Sequence, residues 1–156
     1  MQTILTVNGG SSSLKCALFE LKNESLTLIY NFKLGNILNT ASFKVINADG
    51  EILEQSAPDY SSVSKEERHQ ACLQSILAWL SAKLPDSQLS AIGHRVVHGG
   101  KTFGAPRLID DALMEQLAEL IPLAPLHQPF NLRLIQACRT LEPTLPQVAC
   151  FDTMFH

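Results

Sequence analysis

The sequence predicts an α/β protein built on a mixed sheet, and two observations carry that reading. The first third holds alternating apolar runs joined by short connections, the pattern of an antiparallel meander. The second half alternates helical and strand periodicities, which implies right-handed crossovers and a parallel portion of sheet. A hydrophobic fraction of 46% over 156 residues is enough to bury one core.

In chain order, residues 3–7, 13–21 and 26–32 read as three strands, the third with Leu26, Leu28, Tyr30 and Phe32 alternating with Thr27, Ile29 and Asn31. Residues 41–46, with Phe43 and Val45 on one face, and 51–55 form a further, peripheral pair joined by the turn Asn47-Ala48-Asp49-Gly50. Ser64-Lys65-Glu66-Glu67 has capping-box form, and Cys72, Leu73, Ile76, Leu77, Leu80 and Leu84 follow at helical spacing until Pro85. Residues 91–98 make a strand ended by Gly99-Gly100. Asp110 or Asp111 caps a helix carrying Leu113, Met114, Leu117, Leu120 and Ile121. Pro122 and Pro125 exclude a helix from 121–127, which must be an ordered loop. Pro129 suits the first turn of another helix, with Leu132, Ile135, Cys138 and Leu141 as its stripe, closed by Pro143 and Pro146. Residues 147–151 form the last strand, with Asp152 at its carboxyl end. Sheets of this plan place ligands beyond the carboxyl ends of their parallel strands.

A net charge of −3 without clustered Lys and Arg offers no footprint for nucleic acid. Cys16, Cys72, Cys138 and Cys150 lie scattered in apolar runs, where cysteine packs as a small hydrophobe, so reduced thiols and a cytoplasmic location are expected. The amino terminus lacks the basic start and long apolar stretch of a secretory signal, and no segment approaches the ~20 apolar residues of a membrane span.

The chemistry-bearing stretches stand at strand ends. Val7-Asn8-Gly9-Gly10-Ser11-Ser12-Ser13-Leu14-Lys15 reads either as an ordinary hairpin turn or as a phosphate grip, in which glycines permit unusual backbone angles and a row of N–H groups meets an anion. Asn8 and Lys15 flank it with an amide and a positive charge. Arg95 lies in an otherwise apolar strand, sharing a face with Val97; it either pairs with a structural carboxylate or clamps a carboxylate or phosphoryl group with its planar fork. His94 and His98 read as structural residues. His127, in the proline-stiffened loop, is a loop brace or a fixed donor, and Asp152 is a helix cap or a metal-binding carboxylate. Taken together, a phosphate turn, an Arg, a His donor and an Asp for a divalent cation are the parts phosphoryl transfer requires.

Those same stretches, Asn8 to Lys15, Gly93-His94-Arg95-Val96-Val97-His98-Gly99-Gly100, Ala124-Pro125-Leu126-His127 and Val148-Ala149-Cys150-Phe151-Asp152-Thr153, resemble the successive motifs of the acetate and propionate kinase family. The resemblance runs from end to end of the chain. It implies a ribonuclease-H-like mixed sheet with flanking helices, as in the acetate and sugar kinase/Hsp70/actin superfamily. The activity it implies is reversible phosphoryl transfer from ATP to acetate, giving acetyl phosphate and ADP, with Mg2+ or Mn2+. By the same resemblance, Asn8, Ser11, Ser13 and Lys15 belong to the phosphate end, and Asn8 and Asp152 to the metal. Arg95 contacts acetate and the transferring phosphoryl group, His127 stabilises the transition state, Asp152 serves metal or substrate, and Val97 and Leu126 line the acetate pocket.

Gly9, Gln128, Phe130 and Met154 depart from the family's usual residues, which leaves propionate or butyrate open as the acid. Family members continue into a second, nucleotide-binding domain. Residues 1–156 are therefore expected to form the amino-terminal domain, inactive alone, of a protein that dimerises at full length. A non-catalytic phosphate- or nucleotide-binding module is the alternative.

Overall fold

The computed structural model describes residues 1–23, 25–96, 107–108 and 128–151, of which 95–96, 107–108, 128–131 and 150–151 are described by their backbone. The predicted helix from Asp110 or Asp111, the proline loop 121–127, and the site residues Val97, Leu126, His127 and Asp152 lie outside the described residues.

Among the described residues an eight-stranded mixed sheet holds the fold together. Its strands are β1 (Gln2–Gly9), β2 (Leu14–Lys22), β3 (Ser25–Gly35), β4 (Ser42–Asn47), β5 (Ile52–Ser56), β6 (Gln88–Val96), β7 (Arg107–Leu108) and β8 (Gln147–Phe151). They lie in the order β5-β4-β3-β2-β1-β6-β8-β7. The meander β1 to β5 is antiparallel throughout, whereas β6 runs parallel to both β1 and β8. The mixed sheet expected from the sequence is thus present. The short strand β7, antiparallel to β8, has no periodicity that sequence reading could detect.

Among the described residues two helices cover one face: α1 (Arg68–Lys83) and α2 (Gln128–Leu141), which pack on each other, with α1 touching β2 and α2 touching β1 and β6. Against them the sheet presents Leu5, Val7, Leu14, Cys16, Leu18, Phe32, Leu34, Phe43, Val45 and Ile92, all buried. Phe43 and Val45 therefore place β4 inside the core; only β5 is peripheral, with Ile52 and Leu53 exposed on its edge. Successive strand residues point to opposite faces. The other face accordingly carries Thr6, Asn8, Lys15, Ala17 and Lys33, exposed or half-buried.

Three local expectations are corrected. The β2–β3 register slips between Leu18 and Phe19, so that Leu18 pairs with Tyr30 and Phe19 with Leu28. A bulge at Ile29 absorbs the extra residue and sends Leu26 and Leu28 to the face opposite Tyr30 and Phe32, leaving Leu26 exposed. The capping box at Ser64 does not form: a 3-10 turn at Lys65–Glu67 uses the backbone, the Glu67 N–H donating to the Ser64 carbonyl at 3.0 Å, and Ser64 makes no side-chain cap. In α2 the buried residues include Leu134 and Ala137, whereas Leu132 of the predicted stripe is only half-buried.

Cys16, Cys72 and Cys138 are buried free thiols, as expected, and burial pushes Cys72 up to about 11 and Cys138 up to about 12. No helix among the described residues is long and apolar enough to cross a membrane.

Candidate active site

The carboxyl ends of β1, β6 and β8 meet at one end of the sheet, because these three strands run parallel. The turn at residues 10–13 leaves from β1 there. It closes with the Gly10 N–H donating to the Ser13 carbonyl at 3.0 Å and returns as β2. Val7 pairs with His94 and His94 with Ala149, so Asn8, Arg95 and Cys150 stand one register step further along their strands. Neighbouring strands lie about 4.8 Å apart. The sheet therefore brings Asn8, Ser11, Ser13, Lys15 and the Arg95 position to one end, and Phe151 carries the chain towards Asp152.

The glycines of the turn serve a different purpose from the one the sequence suggests. Neither Gly9 nor Gly10 has a positive φ; among the described glycines only Gly50 in the β4–β5 turn does, with Asn23 and Asn36 adopting it elsewhere. What Gly9 supplies is room: a β-carbon there would stand 2.0 Å from Cδ1 of Leu134, so α2 packs directly on the backbone of β1. At Gly10 the corresponding atom would meet Ser13 Oγ at 2.7 Å.

The turn is braced from α1 as well. His69, 2% exposed, donates from Nε2 to the Gly10 carbonyl at 2.6 Å, which fixes the tautomer with its proton on Nε2. Burial holds its pKa below the usual imidazole value; Arg133 adds to the lowering, while the Gly10 and Ser13 carbonyls oppose it. Arg68 donates from Nε to the Val63 carbonyl and from Nη1 to the Ile37 carbonyl, each at 3.1 Å. The Ile37 N–H in turn donates to the Ser12 carbonyl at 3.0 Å. Sequence reading missed His69, Arg68 and Leu134. Their only signal is position, at a helix start and in a helical stripe, and nothing in it marks what they touch.

Against this braced backbone, the ligand-capable groups are unengaged. The Asn8 amide and the hydroxyls of Ser11 and Ser13 make no hydrogen bond among the described residues. An amide and hydroxyls on a fixed turn, with Lys15 beside Asn8 and the Arg95 position on the next strand, suit an anion bearing several oxygens. His94 has no part in this. It is 3% exposed, donates from Nε2 to Gln147 Oε1 at 2.6 Å, and burial lowers its pKa to about 4, as a satisfied structural histidine.

The family model described as "Acetokinase family" matches residues 3–156. The chain belongs to the acetokinase family. An acetate kinase of Rhodopseudomonas palustris is 40% identical over 156 residues, covering 98% of this chain and 38% of that protein. One of Streptomyces coelicolor is 39% identical over 157 residues and is covered to 37%. Among solved structures, the acetate kinase of Porphyromonas gingivalis superposes with a TM-score of 0.84 at 29% identity, over 99% of this chain and 38% of the other. A propionate kinase of Francisella tularensis superposes with 0.83 at 32% identity, over 100% and 38%. The acetokinase chain thus shares the fold of the acetate and sugar kinase/Hsp70/actin superfamily and spans under two fifths of the length of these relatives.

Proposed function

We propose that this acetokinase-family chain supplies the phosphate- and acetate-facing wall of an acetate kinase, acting in phosphoryl transfer between ATP and acetate to give acetyl phosphate and ADP. The observation that carries the reading is the turn at residues 10–13, held by His69, Ile37 and Leu134 while Asn8, Ser11 and Ser13 remain unengaged. Phosphoryl transfer draws its catalysis from positioning and charge stabilisation, which a rigid turn with free donors can provide. In this scheme Asn8, Ser11, Ser13 and Lys15 hold phosphate oxygens, and Arg95 spans acetate and the transferring group. His127 donates to the equatorial oxygens, and Val97 and Leu126 exclude water around the acetate methyl.

Asn8 and Asp152 are assigned to Mg2+ or Mn2+. Magnesium is commonly held by one or two carboxylates, substrate phosphates and retained waters; the unpartnered Asn8 amide oxygen, a hard donor beside the turn, fits such a shell. When bound, the ion neutralises charge on the phosphates.

The relatives are more than twice as long as the matched part, and that part is their amino-terminal portion. We take residues 1–156 as an amino-terminal domain of the cleft, with turnover belonging to a chain that carries the remaining length, in the cytoplasm and as a homodimer. A propionate-using enzyme is the second reading, favoured by the propionate kinase likeness. The test is acyl-phosphate formation from ATP, Mg2+ and acids of increasing chain length. The 156-residue chain should show little or no turnover, and Arg95→Lys in a full-length chain should lower kcat severely because the planar fork is lost. Robust turnover by the short chain, or a near-normal rate for Arg95→Lys, refutes the scheme.

A further inference from the structure

Asn8 pairs with Lys15, Lys15 with Lys33, and Lys33 with Lys44, across β1 to β4. Directly opposed residues of an antiparallel ladder share a face, with Cβ atoms about 4.5–5.5 Å apart. Three lysine stems therefore rise side by side at the turn end of the sheet, on the face opposite α1 and α2. Lys15 and Lys33 are exposed and Lys44 is half-buried. Adjacent rows of that face contain Gly35 and Ser42 on one side and Ala17, Asn31 and Ile46 on the other, with no carboxylate among them. None of the three lysines has an ion pair or hydrogen bond among the described residues. Carried past Asn8 onto β6, the same row reaches the Arg95 position.

Like charges set directly opposite one another destabilise a sheet. Lysines can protect a sheet edge from pairing with other chains, but these lie on β2, β3 and β4, and the real edge, β5, exposes Ile52 and Leu53 instead. Edge protection therefore does not account for the row, whereas a multiply charged anion lying along it would. We propose that Lys15, Lys33 and Lys44 form an accessory binding row for linear polyphosphate, either the phosphate chain of a nucleoside triphosphate or an inorganic oligophosphate. The row continues the turn across the sheet, whereas a single phosphate occupies the turn alone. This rests on the reading of the turn as a phosphate site.

The test is calorimetry on the 156-residue chain with inorganic phosphate, inorganic tripolyphosphate and ATP over a salt series, comparing the parent with Lys33→Gln, Lys44→Gln and Asn8→Ala. Tripolyphosphate should bind more tightly than phosphate. Each lysine variant should weaken tripolyphosphate by up to about fivefold and flatten its salt dependence, with phosphate unaffected. Without ligand each lysine variant should melt no lower than the parent, which a folding defect would not give. Competition by ATP assigns the row to nucleotide, and its failure assigns it to inorganic chains. Unchanged tripolyphosphate affinity in Lys33→Gln and Lys44→Gln overturns the row while leaving the turn intact if Asn8→Ala still weakens phosphate. A silent Asn8→Ala beside weakened lysine variants removes the turn reading and keeps the row.

Discussion

Replacing Gly9 by alanine tests whether helix packing sets the position of the turn. The new β-carbon would stand 2.0 Å from Leu134 Cδ1 and 3.4 Å from its Cγ. Carbon atoms rest about 3.5–4.0 Å apart, so the leucine tip must yield by roughly 1.5 Å. It is a flexible end, but it is 1% exposed, and moving it displaces close-packed neighbours. Overpacking of this kind costs about 1–3 kcal/mol. Alanine returns about 0.4–1 kcal/mol through the unfolded chain, because Gly9 has no positive φ to forbid it. A net loss of about 0–2.6 kcal/mol follows from these two ranges, read as a lower denaturant midpoint at unchanged m-value. The loss alone does not identify the partner. Leu134→Ala alone should cost about 2–5 kcal/mol; added to it, Gly9→Ala meets no clash and partly fills the cavity. The double variant should be at least as stable as Leu134→Ala, with a coupling of about 1 kcal/mol or more. Losses that add to within about 0.5 kcal/mol would refute direct packing of Leu134 on the turn.

Two further outcomes separate bracing from binding and from bulk stability. His69→Ala leaves the Gly10 carbonyl without its donor and should cost about 1–3 kcal/mol while weakening phosphate binding. His69→Gln, which keeps an N–H, should recover part of both, and Asn8→Ala should weaken binding with no loss of stability; chemical denaturation and phosphate titration check all three. His94 is buried with its pKa lowered to about 4 from 6.5, so the unfolded chain takes up the proton first. Stability is full above pH 6.5 and falls as pH drops towards 4, by about 3 kcal/mol from this group. Denaturant midpoints of the parent and His94→Gln should converge across that window, and a constant difference would show that His94 does not titrate so.

The meander and the parallel strands were legible because period-2 and helical spacing report burial, and burial against α1 and α2 dominates the described part of the fold. The errors fall where the deciding contact is remote or one residue long. The bulge at Ile29 inverts the faces of Leu26 and Leu28, and alternation read along a single strand cannot reveal a register slip against its neighbour. Ser64 carries a capping signature, but the Glu67 N–H bonds the Ser64 carbonyl instead. The turn that carries Asn8, Ser11, Ser13 and Lys15 was legible because turn chemistry is local. The role of His69, 59 positions from Gly10 in the chain, was not, because it exists only once α1 lies across the turn.

That division explains how one short turn can be both rigid and open. Its backbone oxygens at Gly10 and Ser12 are spent on His69 and Ile37, and its Cβ space at Gly9 is filled by Leu134, all from the helix-covered side. Its side chains at Asn8 and Lys15 emerge on the other face, where no described helix competes for them. Fixing the backbone from one side makes the donors of the other side pre-organised, so under the proposed function an anion would meet them without ordering the loop first, and the ordering entropy would fall on folding rather than on binding. Substitutions on the helix side should therefore alter stability and affinity together, whereas those on the open side should alter affinity alone.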